Sequence, residues 1–525
     1  MPTYDEETAQ YLNSEFERRL SEVDNSVANV LIEIKPQNFE NAVVTFQGMD
    51  NVEINARQAV LGKYIPATVP VGAVGQVARL DVVTKVHQDQ AVGTLNVNSA
   101  LNTVRDISLQ SDPIRANISE SLADFFSPLD DVQSGAPIID PDGFRFNFFQ
   151  GPLGDPLRVG LSAVDRLTGA NASGVNHVPT SDSVTWVRNS GALSADGDGD
   201  TKAAIVDTGY TPVTPADFSR LDESSSSVPG EPVIDGNSHG TWCTNAMTGN
   251  QRNSIWGAVD GVATGVETAH FKALNSFPGV GKTSWILSAM EEAVQWGADV
   301  VNMSLGGPLQ GSVEEDPFCD AVSLLSKENA GDDDGAIFVV AAGNSGPDGY
   351  TIGSPGAAPK ALTVGSWSIT DDEPAVFSSR GPQGKWYGDN PNTFSNDREE
   401  YGDDEFIKPD VAVPGGGRAN SDLAATEDEM LHQICAGWME GMNDGYKDGR
   451  GSMKGTSMAS PQAAGLVTLL YDAGIIETAA EVKQVVAEQD APPALELVPD
   501  GSADTVGGKN TAYGFGRLRE SLFDV

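Results

Sequence analysis

From about Ser183 onward, short apolar runs alternate with longer stretches that are apolar on one face only. Ala203–Val206, Val300–Met303, Ile337–Ala341 and Ala361–Val364 are continuous apolar runs bounded by turn residues. Such runs suit parallel strands buried on both faces. Thr283–Trp296 is different, because Trp285, Ile286, Met290, Ala293, Val294 and Trp296 recur at helical spacing and form a broad apolar face. Strands alternating with helices predict βαβ units and an α/β fold built on a parallel sheet flanked by helices. Open sheets of this kind place their sites at the carboxyl ends of the strands.

The amino-terminal third carries other patterns. Residues 1–26 form a polar segment with Tyr11, Leu12, Phe16 and Leu20 at helical spacing. Residues 27–92 read as a small α+β unit: Val30–Ile34 as a strand, Asn51–Leu61 as a helical stretch, then Gln76–Val83 and Val86–Gln90. Residues 93–182 are rich in Pro, Gly, Asp and Asn, with isolated apolar patches such as Phe144–Phe149, and read as a linker or accessory region. Residues 183–525 form the α/β domain.

Charge narrows the classes of function. The chain of 525 residues carries 75 acidic and 32 basic side chains, a net charge of −43. This disfavours nucleic acid as a partner, since phosphate binding needs Lys and Arg. The excess is spread along the chain and predicts a protein of high-salt surroundings, where the Debye length shrinks to about 3 Å in molar salt. No run approaches the roughly 20 apolar residues of a spanning helix, so no membrane partner is expected. The acidic start Met1–Glu7, and Arg18-Arg19 followed by polar residues, do not fit a Sec or twin-arginine signal. A cytoplasmic or virion-associated location is favoured over conventional secretion. Three cysteines, Cys243, Cys319 and Cys435, do not make a disulfide framework.

Three short segments carry the chemistry: Asp207-Thr-Gly209, His239-Gly-Thr241 and Gly455-Thr-Ser457-Met-Ala-Ser-Pro461. Serine becomes nucleophilic when an imidazole takes its proton and a buried carboxylate orients that imidazole. Asp207 ends an apolar strand, His239 opens a helical run that Gly249 can end, and Ser457 begins the apolar stretch Met458–Leu470, with Pro461 in its first turn. Singly, each has a plainer use as a turn or cap residue. Their chain order, Asp then His then Ser, is that of subtilisin.

The segments closely resemble those of the subtilisin-like serine proteases, the subtilases. Ala203–Gly209, Val301–Gly307, Val340–Asn344 and Lys408–Gly415 resemble further stretches of that family, in its order, across roughly Ser183 to Leu518. The resemblance implies a serine endopeptidase with Asp207, His239 and Ser457 as triad, and Asn344 as oxyanion donor with the Ser457 backbone N–H. It implies polypeptide substrates paired as an added strand between Gly279, Val280, Gly281 on one side and Ser304, Leu305, Gly306 on the other. The wall of the primary specificity pocket would be Ser304–Gly306 with Ala341, Ala342 and Gly343, and Gly353 near its base, leaving room for a large apolar side chain. Residues 27–92 resemble the ferredoxin-like prodomain, which implies a self-processing zymogen with its own prodomain as intramolecular inhibitor. No cofactor is implied for the chemistry and no metal ligand is assigned. A structural calcium ion is compatible with Gln251–Ile255, Asp217 and the Ala195–Asp200 run, although alternating Asp-Gly more often makes a solvated turn. Cys243, one helical turn after His239, reads as a small buried apolar residue.

Two residues depart from the family pattern, Trp242 and Gln462, both where histidine is usual; altered packing with retained activity is expected. The chain from Asn344 to Ser457 is long for the family, which places polar insertions near 383–405 and 418–450. The alternative is a catalytically restrained structural or virion-associated protein on a protease fold. An esterase or acyltransferase with the same triad fits the glycine-lined cleft less well.

Overall fold

The computed structural model describes residues 27–49, 52–55, 59–94, 175–194, 197, 200–212, 223–249, 260–330, 335–381, 407–417, 427–433, 450–490 and 510–523. The amino-terminal module is a four-stranded antiparallel sheet in the order β2-β3-β1-β4, formed by β1 (Val27–Ile34), β2 (Glu53–Ile54), β3 (Tyr64–Pro70) and β4 (Val83–Gln88). Helices α1 (Phe39–Gln47) and α2 (Val74–Ala78) accompany it. Strand β1 shows why the sequence folds this way. Val30, Ile32 and Ile34 enter the module's own core with Phe46, Ile65 and Val86. Leu31 faces the other way and joins the core of the large domain. The helix expected over Asn51–Leu61 is absent from its described residues, and Glu53–Ile54 pairs with β3 instead. The module's longer helix is α1, where Phe39, Ala42, Val43 and Phe46 supply the apolar face and Gly48 follows its last residue.

Strand β5 (Ala91–Thr94) leaves the module. After it, β6 (Val175–Pro179) and α3 (Thr180–Val187) lead into the large sheet. That sheet gathers β7 (Lys202–Asp207), β8 (Ser225–Ser226), β9 (Glu267–Lys272), β11 (Val300–Met303), β13 (Ile337–Ala341), β14 (Leu362–Ser368), β16 (Val411–Pro414) and β19 (Gly516–Arg517). Its order is β19-β16-β14-β13-β11-β7-β9-β8, all parallel; β15 (Glu373–Pro374) adds an antiparallel edge beside β14.

Both faces of this sheet are covered. Helices α4 (His239–Thr248), α8 (Thr456–Asp472) and α9 (Ala479–Gln489) lie on one side; α5 (Thr283–Gln295) and α6 (Pro317–Leu325) lie on the other, and α7 (Lys327–Ala330) follows α6. Ala203, Ile205, Ile337 and Val339 join the first core, while Ala204, Val206, Phe338 and Val340 join the second. Successive side chains of a strand point to opposite faces, so a strand buried on both must be apolar throughout. The expected strands, helix α5 and the helices opening near His239 and Ser457 are all present.

Two short strands, β10 (Val280–Lys282) and β12 (Leu305–Gly306), project beyond the sheet. The region 418–450, expected to be polar insertion, contains β17 (Glu427–Gln433), which pairs with β6 and with β18 (Arg450–Met453). Backbone pairing to two neighbours makes this strand without an alternating apolar pattern. The expectations for residues 1–26, for Phe144–Phe149, for nearly all of the 93–182 region and for the insertion at 383–405 fall outside the described residues. No helix among the described residues is long and apolar enough to cross a membrane.

Candidate active site

The large sheet runs from β7 to β9 on one side and to β11 and β13 on the other, so its connections diverge at β7. A crevice at such a switch point is where open parallel sheets collect functional residues. Asp207 is the last residue of β7, Ser304 follows β11, and Ala342–Asn344 follow β13. Helix α4 begins with His239, and α8 begins one residue before Ser457.

Asp207 and His239 are fully buried, and His239 Nδ1 lies 2.8 Å from Asp207 Oδ1. The same oxygen accepts the Thr208 N–H at 2.7 Å. Burial opposes a charged imidazole, yet the adjacent Asp207 carboxylate outweighs it, and the His239 pKa lies well above its ordinary 6.5. Nε2 of His239 is buried without a hydrogen-bond partner. Ser457 Oγ donates to the Ser304 carbonyl oxygen at 3.0 Å, so the serine–histidine bond is not made in this conformation. Cys243 Sγ is 3.8 Å from His239 Nδ1, and burial pushes its thiol pKa up, which keeps it protonated.

The start of α4 is fixed by a carboxylate that no sequence motif distinguishes. Asp235 is buried and accepts from Thr208 Oγ1, Asn237 N, Ser238 N, Thr241 N and Thr241 Oγ1, at 2.7–3.0 Å. Ser238 takes a left-handed φ of 83° immediately before His239. Such a conformation is costly for a non-glycine residue and persists where neighbours impose it. The five bonds to Asp235 do so. Glycine at 240 is required by space: a Cβ there would lie 2.3 Å from Gly209 O.

Asn344 Oδ1 accepts from Thr456 N at 2.9 Å and Thr456 Oγ1 at 3.1 Å. The amide oxygen is thereby occupied, which fixes the flip and leaves the NH₂ end to donate elsewhere. Thr456 Oγ1 also lies 3.1 Å from Gly343 N, so one threonine holds the segment before Ser457 against the end of β13. Its neighbour Gly343 has φ 113°, and a Cβ there would meet Ser379 Oγ at 2.5 Å.

The proposed cleft walls are β10 with Gly279, and Ser304 with β12. Strand β5 of the amino-terminal module lies between them, antiparallel to both. Ala91, Val92 and Gly93 pair with Lys282, Gly281 and Val280; Gly93 and Thr94 pair with Gly306 and Leu305. Thr94 N also donates to Gly279 O at 2.9 Å. Val92 is buried in the cluster that contains Leu274, Leu305, Ala342 and Ile352. Gly353 sits against the backbone of Gly307, where a Cβ would come within 2.4 Å of Gly307 O. Behind it, buried Asp316 accepts from Ser354 Oγ, Gln310 N, Phe318 N and Cys319 N. This carboxylate is fully engaged in holding the loop.

Further contacts seat the module on α5 and α6. Asp89 accepts from Ser284 N at 2.9 Å and Ser284 Oγ at 3.0 Å, satisfying a backbone N–H at the buried start of α5. Lys63 Nζ and Tyr64 OH both reach Asp320, at 3.0 and 2.7 Å, and Lys85 Nζ lies 2.6 Å from Glu315.

The two departures from the family pattern are both buried. Trp242 packs in the core beside α8, and Gln462 bonds Ser183 Oγ, Pro414 O and Met458 O. Among the described residues, one group of three metal-type side chains lies close enough to share an ion: Asp207, His239 and Cys243. Asp217 and Gln251–Ile255 lie outside the described residues, as does the Ala195–Asp200 run apart from Gly197 and Asp200.

Comparison with known proteins agrees with the geometry. The model of the subtilase family matches residues 198–516, more than half of the chain, and the chain belongs to that family. It is similar to pyrolysin of Pyrococcus furiosus, 33% identical over 220 residues, which are 40% of this chain and 14% of pyrolysin. It is also similar to serine protease AprX of Bacillus subtilis, 30% identical over 314 residues, 57% of this chain and 62% of AprX. The human membrane-bound transcription factor site-1 protease is 29% identical over 269 residues, 51% of this chain and 20% of that protein. The chain thus spans less than two thirds of the length of each of these relatives.

Proposed function

We propose that the chain is a serine endopeptidase made as a zymogen, with its amino-terminal module as a built-in inhibitor. The observation that carries this reading is the seating of β5 between β10 and β12, at the mouth of a site where His239 lies 2.8 Å from Asp207. A peptide strand paired on both edges is how an extended substrate would be held.

In the proposed reaction Ser457 Oγ swings from Ser304 O to His239 Nε2, loses its proton to that nitrogen and attacks the substrate carbonyl. Asp207 holds Nδ1–H and stabilises the imidazolium. The Asn344 amide N–H and the Ser457 backbone N–H receive the oxyanion; losing one such donor costs about 10²–10³ in turnover. The specificity pocket takes large apolar side chains, because Asp316 is spent on its own four hydrogen bonds. The reaction needs no cofactor. Each residue of β5 advances one residue along β12 toward Ser304, so we place the self-cleaved bond after Leu95.

Ser457→Ala and the wild-type chain, expressed alike, test this. The wild type should yield a fragment beginning at Asn96 and should digest casein and react with a fluorophosphonate. Ser457→Ala should stay whole and inert. A wild type that digests substrate yet remains intact would make the module an accessory domain, and a wild type inert to both reagents would overturn the peptidase reading.

A further inference from the structure

We infer that His270 is a positioning residue for the proposed triad: its imidazole ties the turn after Asp207 to the helix that carries His239. The inference rests on the triad reading above.

His270 lies in β9, level with Ile205 of β7, and is buried. Its Nε2 is 3.0 Å from the backbone nitrogen of Gly209. A peptide N–H only donates, so this Nε2 carries no proton and accepts. Nδ1 is 3.2 Å from Thr244 Oγ1. That hydroxyl already gives its hydrogen to Gly240 O at 2.7 Å, so it offers Nδ1 a lone pair, and the proton sits on Nδ1. One neutral tautomer satisfies both neighbours. Its partners flank the two catalytic side chains: Gly209 is two residues past Asp207, and Gly240 and Thr244 belong to the first turns of the His239 helix. The ring also fills the space between them, since a Cβ on Gly240 would come within 3.0 Å of His270 Cε1.

The side chain must be a neutral acceptor of this length. An apolar residue would bury the Gly209 N–H unpaired, and a carboxylate would add a negative charge behind Asp207. Burial holds the imidazole pKa down to about 4, with Asp207 and Asp235 pulling it up and Lys272 and His239 pushing it down. His270 therefore stays neutral while His239 shuttles a proton. It touches no substrate and acts through Asp207 and His239.

Steady-state kinetics on a peptide substrate, with the full chain carrying His270→Leu, His270→Gln or His270→Asn, tests the inference. Leu keeps the volume and removes both bonds. Gln carries an amide oxygen about as far out as Nε2 and can accept from Gly209, whereas Asn reaches only as far as Nδ1. Small misplacements of catalytic groups cost up to about 10²-fold, so His270→Leu should lower kcat at least about tenfold with KM changed less than about twofold. His270→Gln should recover kcat and His270→Asn should not. The acid limb of kcat/KM should shift in the Leu and Asn variants and stay in place in the Gln variant. If His270→Leu does not fold, the Gln and Asn pair decides alone. Equal kcat in Gln and Asn, or wild-type kcat in Leu, overturns the inference while leaving the peptidase reading intact. A wild-type chain that cleaves nothing overturns both.

Discussion

Ser457 and Ser304 are bonded to each other twice in opposite senses: Ser457 Oγ donates to Ser304 O, and Ser304 Oγ donates to Ser457 O, each at 3.0 Å. The second bond anchors the backbone of the serine segment. The first parks the hydroxyl on a carbonyl at the rim of the cleft and leaves His239 Nε2 unpaired. Ser304 is also the residue next to Leu305, which pairs with Thr94 at the end of β5.

A substrate amide that takes Ser304 O would therefore release the Ser457 hydroxyl toward His239. Methylating the substrate nitrogen next to the scissile residue's side chain removes that donor. We expect such a peptide to lose at least about tenfold in kcat/KM, the value of roughly one hydrogen bond. Most of the loss should fall on kcat. A loss confined to KM would mean that Ser304 O serves binding only.

The candidate site was legible in the sequence because Asp207, His239 and Ser457 each sit in a compact local signal. Asp207 closes an apolar run, and Ser457 opens another before Pro461. What could not be read are the residues that position them through backbone contacts. Asp235 holds Ser238 by accepting N–H groups, which any turn aspartate can do, so the sequence around it looks ordinary. Thr456 acts across 112 residues on Asn344. His270 is one of only five histidines and lies in its strand between Ala269 and Phe271, a faint signal that no motif amplifies. The module's pattern misled over Asn51–Leu61, where pairing with β3 outweighed helical spacing at Val52–Ile54.

The raised pKa of His239 has two consequences of opposite sign. Its protonated form is favoured by folding, so the stability it contributes is complete below the ordinary 6.5 and is lost as pH rises through the folded value. The proposed reaction needs the neutral ring, so activity should appear over the same window. The acid limb of kcat/KM should have its midpoint above 6.5. In the Ser457→Ala background, Asp207→Asn removes the main influence that raises the His239 pKa and leaves burial opposed only by Cys243, so the His239 titration followed by NMR should move to lower pH. An unmoved titration would show that Asp207 does not set it.

Net charge gives a prediction about salt. With a charge of −43, the folded chain repels itself in dilute buffer. Raising KCl from about 0.1 to 1 M shortens the Debye length from about 10 to 3 Å and removes most of that repulsion. The melting temperature of Ser457→Ala, which cannot digest itself, should rise across this range. A flat or falling curve would count against a high-salt setting for this protein.

Salt should act in the other direction on the docked module, whose polar contacts are attractive. Lys63 and Lys85 bring positive charge from the module to Asp320 and Glu315 on and beside α6. These pairs are only partly buried, each is worth little alone, and screening weakens them. Asp320 has the larger stake, because Tyr64 OH shares its Oδ2 with Lys63. Asp320→Lys therefore breaks both contacts and sets two lysines together, and we expect the cleaved module to leave about tenfold faster, read as the rate at which activity appears after processing. Lys63→Glu should also hasten release. Combining Lys63→Glu with Asp320→Lys restores an opposite-charge pair and should recover part of the delay, more at 0.1 M than at 1 M salt. Release rates that ignore all three changes would show that the Lys63–Asp320 pair does not hold the module, leaving β5, the Asp89 and Lys85 contacts and the shared apolar core of Leu31, Val60 and Val92 to do so.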